Sequence, residues 1–446
     1  MQRLVSPVGI IGFGVEGQST LQFLLREGIK DIVVMDKNPV VLPDVPDGVN
    51  VSVFSGAGYL DGLKDSVTAV RSAGVYPLTP ELLRFQMNGG ILTSQIQLFL
   101  ERTRSKTVIG VTGTLGKGST VSMIRHGLEF CGAPCIIGGN FGVPALDLLK
   151  DDSPDRISIL ELSSFQLMTL SVSPHIGVVL RVSTEHLDWH RSVEEYRDAK
   201  ANLVRWQKKG DYCVYMKDAA PSAKISTESA AQKLCVSYKD GDAVIEGETL
   251  RIGRDELHLA DCKTRGVYQL ENMAAAALAC KAAGFMVSRV LESFKTYETL
   301  QFRMEFKGEI AGIEFYNDSY ATRPDATIAA VKSMKRPFAL ILGGSEKNAD
   351  FSELSGTLVK IKNLKRVALI GATAQRMLDS LDKAELTVPA QIFPTLDEAF
   401  AECLRIGQGG TVMLSPACAS FGLFKNYKVR GQCFDKLVEA FKEKNK

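Results

Sequence analysis

Short runs of unbroken apolar residues recur along this chain, each ending at a glycine turn or an acidic residue and giving way to helical spacing. A strand covered on both faces reads as such a continuous run, and strands alternating with helices build parallel sheets. Val8 to Ile11 leads into the turn Gly12-Phe-Gly14-Val-Glu-Gly17, a helix from Ser19 to Arg26, and a strand from Ile32 to Met35 that stops at Asp36. The turn Arg71-Ser-Ala-Gly74 and a strand around Gly90 to Thr93 extend the pattern up to a basic stretch, Arg102 to Lys106. A second unit opens with the strand Thr107 to Val111, a glycine-rich turn and a helix through Phe130, with further strands at Ile157 to Leu160 and Ile176 to Leu180. Residues 209–262 read as short strands with turns, and Glu271 to Ala283 as an alanine-rich helix. From about Thr299 a third unit carries strands at Ile313 to Tyr316, Phe338 to Leu342, Val367 to Ile370 and Val412 to Leu414. The expectation is an α/β protein of three domains, 1–103, 104–298 and 299–446, each on a mainly parallel sheet.

Length and composition fit this picture. A chain of 446 residues exceeds one typical core, and 45% apolar with 23% charged residues is ordinary globular usage. A net charge of +2 offers no field for nucleic acid, so an anionic ligand must be met by local groups. Nine cysteines lie scattered, with only Cys131 and Cys135 close together and no histidine cluster to complete a zinc site, which fits a reducing cytosol. No basic-then-apolar leader opens the chain, and no run approaches the roughly 20 apolar residues of a spanning helix. A cytoplasmic protein with small-molecule partners, acting as a monomer without nucleic acid or membrane insertion, is expected.

The chemistry concentrates at strand ends. Gly113-Thr114-Leu115-Gly116-Lys117-Gly118-Ser119-Thr120 follows an apolar strand and precedes a helix, the setting of a phosphate-binding loop. Its glycines let backbone N–H groups converge on phosphate oxygens, Lys117 supplies positive charge, and Ser119 or Thr120 offers a hydroxyl toward Mg²⁺. Glu161 ends a buried strand, where a carboxylate needs a cationic partner, and a magnesium ion beside a triphosphate would serve. His186 likewise follows an apolar strand. Three such residues at the carboxyl ends of parallel strands point to one ligand site. The glycine turn at 12–17 is one residue shorter than the dinucleotide fingerprint, which argues against a nicotinamide cofactor.

GTLGKGST (113–120), LELSSFQL (160–167), EHLDWH (185–190) and LSPACASFGLFKNY (414–427), the last continuing to Arg430-Gly431, together resemble the Mur ligase family. The last string is most similar to its D-glutamate-adding branch. The resemblance runs the full length and implies a Rossmann-like UDP-substrate domain, a P-loop-type ATPase domain and a Rossmann-like amino-acid-binding domain. It implies an ATP-dependent ligase that adds D-glutamate to UDP-N-acetylmuramoyl-L-alanine through an acyl phosphate, with two Mg²⁺ ions. By the same resemblance Lys117, His186 and Lys200 are catalytic, and Lys200 carries a CO₂-derived carbamate. Ser119, Glu161, His186 and Lys200 serve the metal ions. Gly113, Thr114, Gly116, Lys117, Gly118, Ser119, Thr120, Asn272, Arg303 and Asp318 hold ATP. Val15, Glu16, Gly17, Asp36, Lys37, Ser72, Ala73, Gly74, Asn140, Ser163 and Phe165 fall at the UDP-substrate site, and Thr322, Lys347, Ser420 and Tyr427 grip D-glutamate.

Leu115, Gly118, Ala275 and Tyr320 depart from the family pattern, where Asn, Ser/Thr, Asn and Lys are usual. A folylpolyglutamate synthase shares the phosphate loop and the glutamate chemistry, and a decayed nucleotide-binding paralogue would show such departures. Both stand as alternatives at this point.

Overall fold

The computed structural model describes residues 4–445 except 184, 187, 188, 265, 347 and 348. Three α/β units are present, each built on its own sheet. The first sheet comprises β1 (Val8–Ile11), β2 (Asp31–Asp36), β3 (Asn50–Ser55), β4 (Thr68–Arg71) and β5 (Ile91–Ser94) in the order β3-β2-β1-β4-β5, all parallel. The central strand β1 is buried throughout, whereas edge strand β3 is half exposed and polar at Asn50, Ser52 and Ser55. Strand order reverses between β1 and β4, and the crevice outside their carboxyl ends is where open α/β sheets bind ligands. The Val15–Arg26 helix packs tightly into the turn after β1: a side chain at Gly17 would fall inside van der Waals contact with the Gly12 carbonyl oxygen.

The second sheet holds β6 (Val108–Thr112), β7 (Cys135–Gly139), β8 (Ile157–Glu161), β9 (Ile176–Val179), β10 (Tyr212–Met216), β11 (Gln232–Ser237), β12 (Ala243–Glu246), β13 (Thr249–Ile252) and β14 (Asp255–His258). Its order is β14-β13-β12-β11-β10-β9-β6-β8-β7, parallel except for the antiparallel pairs β12–β13 and β13–β14. The strands that carry the phosphate loop, Glu161 and the approach to His186 are thus the neighbours β6, β8 and β9. One apolar cluster runs from Val8, Ile10 and Phe99 of the first unit to Leu160, Leu203 and Ala231 of the second, so these two sheets share a core.

The third sheet contains β15 (Glu305–Ile310), β16 (Ile313–Asn317), β17 (Phe338–Gly343), β18 (Leu364–Ile370), β19 (Ala390–Phe393) and β20 (Thr411–Leu414), ordered β15-β16-β20-β17-β18-β19. Only the β15–β16 pair is antiparallel. Leu340, Leu342 and Met413 face one apolar cluster, and Ala339, Ile341, Val412 and Leu414 face the other, the period-two split of a sheet covered on both sides. By contacts the chain divides into two compact units, 1–258 with 271–295, and 259–270 with 296–446.

The fit at the first turn yields a stability prediction. Gly17→Ala should destabilise the protein by about 1–3 kcal/mol, because backbone oxygen cannot yield as a side chain does. Urea unfolding of the two proteins would check this, with an unchanged midpoint as the contrary result.

Candidate active site

The buried strand β6 delivers its chain directly into the phosphate loop. Gly113 (φ 155°) and Gly116 (φ 84°) adopt left-handed backbone, and the Lys117–Phe130 helix begins at once. The loop's width is set from behind: a Cβ at Gly116 would collide with the Asn272 amide oxygen, which accepts a 3.3 Å hydrogen bond from Thr120 Oγ1. Lys117 Nζ donates to the Gly113 and Thr114 carbonyls at 3.0 and 2.9 Å. Ser119 and Thr120 are buried at the start of the helix.

Lys200, on the Val193–Arg205 helix, is one of the largest fully buried side chains of the protein. Its Nζ donates to the same Gly113 carbonyl at 2.9 Å and lies 4.7 Å from the centre of the Tyr196 ring, one helical turn earlier. Burial, and then the neighbouring Lys117 ammonium, push the Lys200 amine well below its ordinary range, against the opposite pull of Glu185 and Glu161. The Tyr196 hydroxyl lies 2.9 Å from Thr114 Oγ1, which in turn accepts from Ser183 N at 2.9 Å. Phosphate loop, Lys200 helix and post-β9 segment are therefore joined through one buried tyrosine.

Glu161 closes β8 and is buried. Asn140 Nδ2 donates to one of its oxygens at 2.7 Å, while Oε2 is buried with no hydrogen-bond partner. An unpaired buried carboxylate oxygen is costly unless a cation meets it, so the donor set fits a hard divalent ion. His186 adopts a left-handed backbone (φ 56°), an uncommon state for a non-glycine residue. Its ring lies 3.4 Å from Glu185 and packs on Phe165 with centroids 4.8 Å apart. His190 is buried below, with Nε2 2.9 Å from Ser164 Oγ, and burial lowers its pKa against the pull of Glu195. Among the described residues no group of three His, Cys, Asp or Glu side chains forms a ready-made metal cluster.

The first sheet's crevice abuts this site. Glu16 accepts from Ala73 N at 2.8 Å with one oxygen and from Gln166 Nε2 at 2.9 Å with the other. Arg71, buried at the end of β4, donates to the Ser72, Ala73 and Val75 carbonyls at 3.3, 3.2 and 2.7 Å. Its other amino group reaches the Phe165 carbonyl at 2.9 Å, and burial lowers its pKa to about 10. The 72–75 turn and the Ser164–Leu167 helix are thus riveted together. Ser163 caps that helix in a capping box with Gln166. Gly74 O accepts from the Trp189 indole at 3.4 Å. Asp36 has an internal task, accepting from Phe13 N at 2.6 Å and Asn38 N at 2.8 Å, while Lys37 and Val15 are exposed at the rim.

In the third α/β unit the ends of β16, β20 and β17 lie side by side. Arg430 is fully buried and ties Ser319 to the Ala419 carbonyl, holding the loops after β16 and β20 together. Asp318 accepts from Met304 N at 3.0 Å and Ser415 Oγ at 2.7 Å. Burial raises its pKa to about 7, outweighing those hydrogen bonds and the pull of Arg303 and Arg430. Thr322 follows on the same loop, with its N–H donating to Tyr320 O at 2.8 Å. Tyr427 opens the last helix, its ring edge-on to Tyr320 with centroids 4.9 Å apart, and Ser420 is buried in the loop after β20. Lys347 lies outside the described residues.

Residues 111–280 match the profile of the Mur ligase middle domain, and residues 302–418 that of the Mur ligase glutamate ligase domain. The UDP-N-acetylmuramoylalanine–D-glutamate ligase of Clostridium kluyveri is 31% identical over 443 residues, spanning 97% of this chain and 96% of that protein. The ligase of the same name from Acetivibrio thermocellus is 33% identical over 453 residues, again spanning 97% and 96%. The chain belongs to the Mur ligase family. MurF ligase of Thermotoga maritima in complex with ADP shares its fold, with a TM-score of 0.62 and 18% identity over 100% of this chain and 97% of that one.

Within this Mur ligase, Lys117 and Lys200 meet at the Gly113 carbonyl, Glu161 pulls on the Lys200 amine and accepts from Asn140, and the His186 ring packs on Phe165 with its centroid 6.4 Å from that of Tyr196. Reading the sequence missed Arg71, Tyr196, Glu185 and His190. A signal existed for two: an arginine closing an apolar strand at Arg71, and a tyrosine four residues before Lys200 on one helical face.

Asp318 gives a pH-dependent prediction. Its folded pKa near 7 lies above its ordinary value of 3.8, so the folded state holds a proton that the unfolded chain releases. The stabilisation this brings is complete below the unfolded value and is lost as pH rises through about 7. Relative to Asp318→Asn, the parent should therefore lose stability between pH 4 and 7. Parallel stability curves for the two proteins would contradict it.

Proposed function

We propose that this Mur ligase joins D-glutamate to the L-alanyl carboxylate of UDP-N-acetylmuramoyl-L-alanine, converting ATP to ADP and phosphate, as a cytoplasmic step of peptidoglycan precursor synthesis. The names of its full-length relatives support the substrates. One structural observation carries the chemistry: a buried amine, Lys200, and the phosphate-loop Lys117 donate to the same carbonyl, and the amine feels the pull of Glu161, one of whose oxygens has no partner.

In this reading residues 1–103 hold the UDP-substrate, 104–298 ATP and 299–446 the amino acid. A carboxylate does not condense with an amine in water, because oxide is a poor leaving group. The L-alanyl carboxylate instead attacks the γ-phosphorus of ATP, forming an acyl phosphate and releasing ADP. The D-glutamate amine then attacks the acyl carbon, and the tetrahedral adduct expels phosphate. Lys117 and the loop N–H groups stabilise charge on the transferring phosphoryl group. Asn272 sets the loop and faces the nucleotide side. Arg303 meets phosphate, and Thr322, Lys347, Ser420 and Tyr427 receive the glutamate carboxylates. Glu16, Asp36, Lys37 and the Ser72–Gly74 turn form the UDP crevice, with Asn140 and Phe165 toward the muramoyl end.

Ser119, Glu161, His186 and a carbamylated Lys200 would hold magnesium, which when bound neutralises phosphate charge. Lys200 suits the modification because CO₂ adds only to an unprotonated amine, and burial beside Lys117 favours that form. The addition gives a carbamate and one proton, replacing repulsion of Lys117 by attraction.

Two measurements test this reading. Phosphate release should require both the muramoyl-alanine nucleotide and D-glutamate, and release with a folate acceptor, or with L-glutamate at an equal rate, would reject it. Lys200→Ala should lower turnover by about 10²-fold or more, with partial recovery in millimolar formate or acetate. Undiminished turnover would remove Lys200 from the chemistry.

A further inference from the structure

The phosphate loop is held from two sides by residues whose chain neighbours meet in an ion pair. On one side, Thr114 N donates to the Arg181 carbonyl at 2.8 Å, a last rung beyond the β6–β9 pairing, and a side chain at Gly113 would come within 2.7 Å of Leu180 Cβ. On the other, the Asn272 amide fills the space that a Gly116 side chain would need and accepts from Thr120. Leu180 directly precedes Arg181, and Asn272 directly follows Glu271. Arg181 and Glu271 join these two walls. Arg181 Nε donates to the Glu271 oxygens at 2.7 and 2.9 Å, and an amino group of the same guanidinium reaches Oε1 at 2.5 Å.

A tyrosine locks the pair. Tyr238, just after β11, donates from its hydroxyl to Glu271 Oε1 at 2.6 Å, and its ring centre lies 5.9 Å from the Arg181 guanidinium carbon. Its backbone is fixed in turn by Asp218, which accepts from Tyr238 N at 2.7 Å and Ser237 Oγ at 3.0 Å. Burial, and then the Glu271 hydrogen bond, push the Tyr238 hydroxyl up to about 12, so it remains a donor at neutral pH. A lone surface ion pair contributes little, but a carboxylate only 13% exposed, met by a guanidinium fork and a phenol, is a network of fixed geometry.

We propose that Arg181 and Glu271 are positioning residues, an ion-pair brace that holds Leu180 and Asn272 against Gly113 and Gly116 and keeps the phosphate loop at the width a nucleotide's phosphates require. The proposal rests on the nucleotide-dependent reading above, and it involves only residues of the unit that carries the loop. Direct contact of Arg181 with a phosphate is the competing role, and the test separates the two.

Magnesium–ADP is titrated calorimetrically into the full chain and into Arg181→Met, Glu271→Gln, their double variant and the swapped pair, Arg181→Glu with Glu271→Arg. Each single variant should weaken binding by about three- to tenfold, and the double variant should bind no more weakly than the weaker single. The swapped pair should bind more tightly than either single, because a brace needs opposite charges in either order. Arg251→Met breaks an exposed pair on β13 and should bind as the parent does. Weakening confined to Arg181→Met, or a swapped pair as weak as that variant, would make Arg181 a phosphate ligand and overturn the proposal. Equal weakening in Arg251→Met would overturn it too. In turnover, Glu271→Gln should raise the Michaelis constant for ATP and leave that for D-glutamate unchanged, and equal changes in both would reject the brace. A parent that binds magnesium–ADP but transfers nothing to D-glutamate would instead reject the substrate assignment, with the brace decided by the titration.

Discussion

Two lysine side chains converge on one carbonyl oxygen, that of Gly113, and the catalytic reading depends on that crowding. Lys117 comes from the helix that opens at the phosphate loop, Lys117–Phe130, and Lys200 from the later helix Val193–Arg205. The first is loop chemistry with a clear role at a triphosphate. The second is a long amphipathic side chain drawn wholly into the interior, where its charge is opposed by desolvation and by its neighbour. Such a side chain persists if it can shed its charge or invert it, and carbamate formation inverts it. Tyr196 closes the same pocket from the side and links it to Thr114 and the post-β9 segment, so the amine, the loop and the histidine segment are constrained together.

A second constraint registers the first sheet's crevice on the central one. Arg71 and Glu16 act as opposed clamps on the 72–75 turn, the arginine through carbonyls and the glutamate through an N–H, and both reach the Ser163–Gln166 segment. That segment therefore serves two ends: it is capped as a short helix, and it ties the crevice of the first sheet to the central sheet. Removing the Arg71 charge would leave several carbonyls unpaired in the interior, so its role in placement cannot be separated from its role in folding.

Much of the architecture was legible because buried parallel strands announce themselves. β1 matches its expected span, and β6, β8, β9, β16, β17 and β20 fall within a residue or so of the apolar runs that foretold them. Other strands escaped notice, among them the short buried β4, the half-exposed edge β3 with alternating serines and asparagine, and β15, whose Glu305–Ile310 sequence carries charge on an antiparallel margin. The strand-end rule needed only chain order and periodicity to put Lys117, Glu161 and His186 after β6, β8 and β9, which are neighbours in the sheet. Lys200 needed the family resemblance, because a lysine on a helix gives no local sign of which way it will point. Arg71 and His190 escaped because their partners are 94 and 26 residues away, and such pairings exist only after folding.

The apolar cluster shared by the first two sheets has a consequence for how this chain can be divided. Phe99 and Leu98 on one side, and Leu160, Leu167 and Leu203 on the other, cover one another. A fragment beginning after Arg102 would leave oily surface open to water, a liability for association with itself. The amino-terminal unit thus covers its neighbour's interior, and inheritance or engineering must carry the two as a single piece.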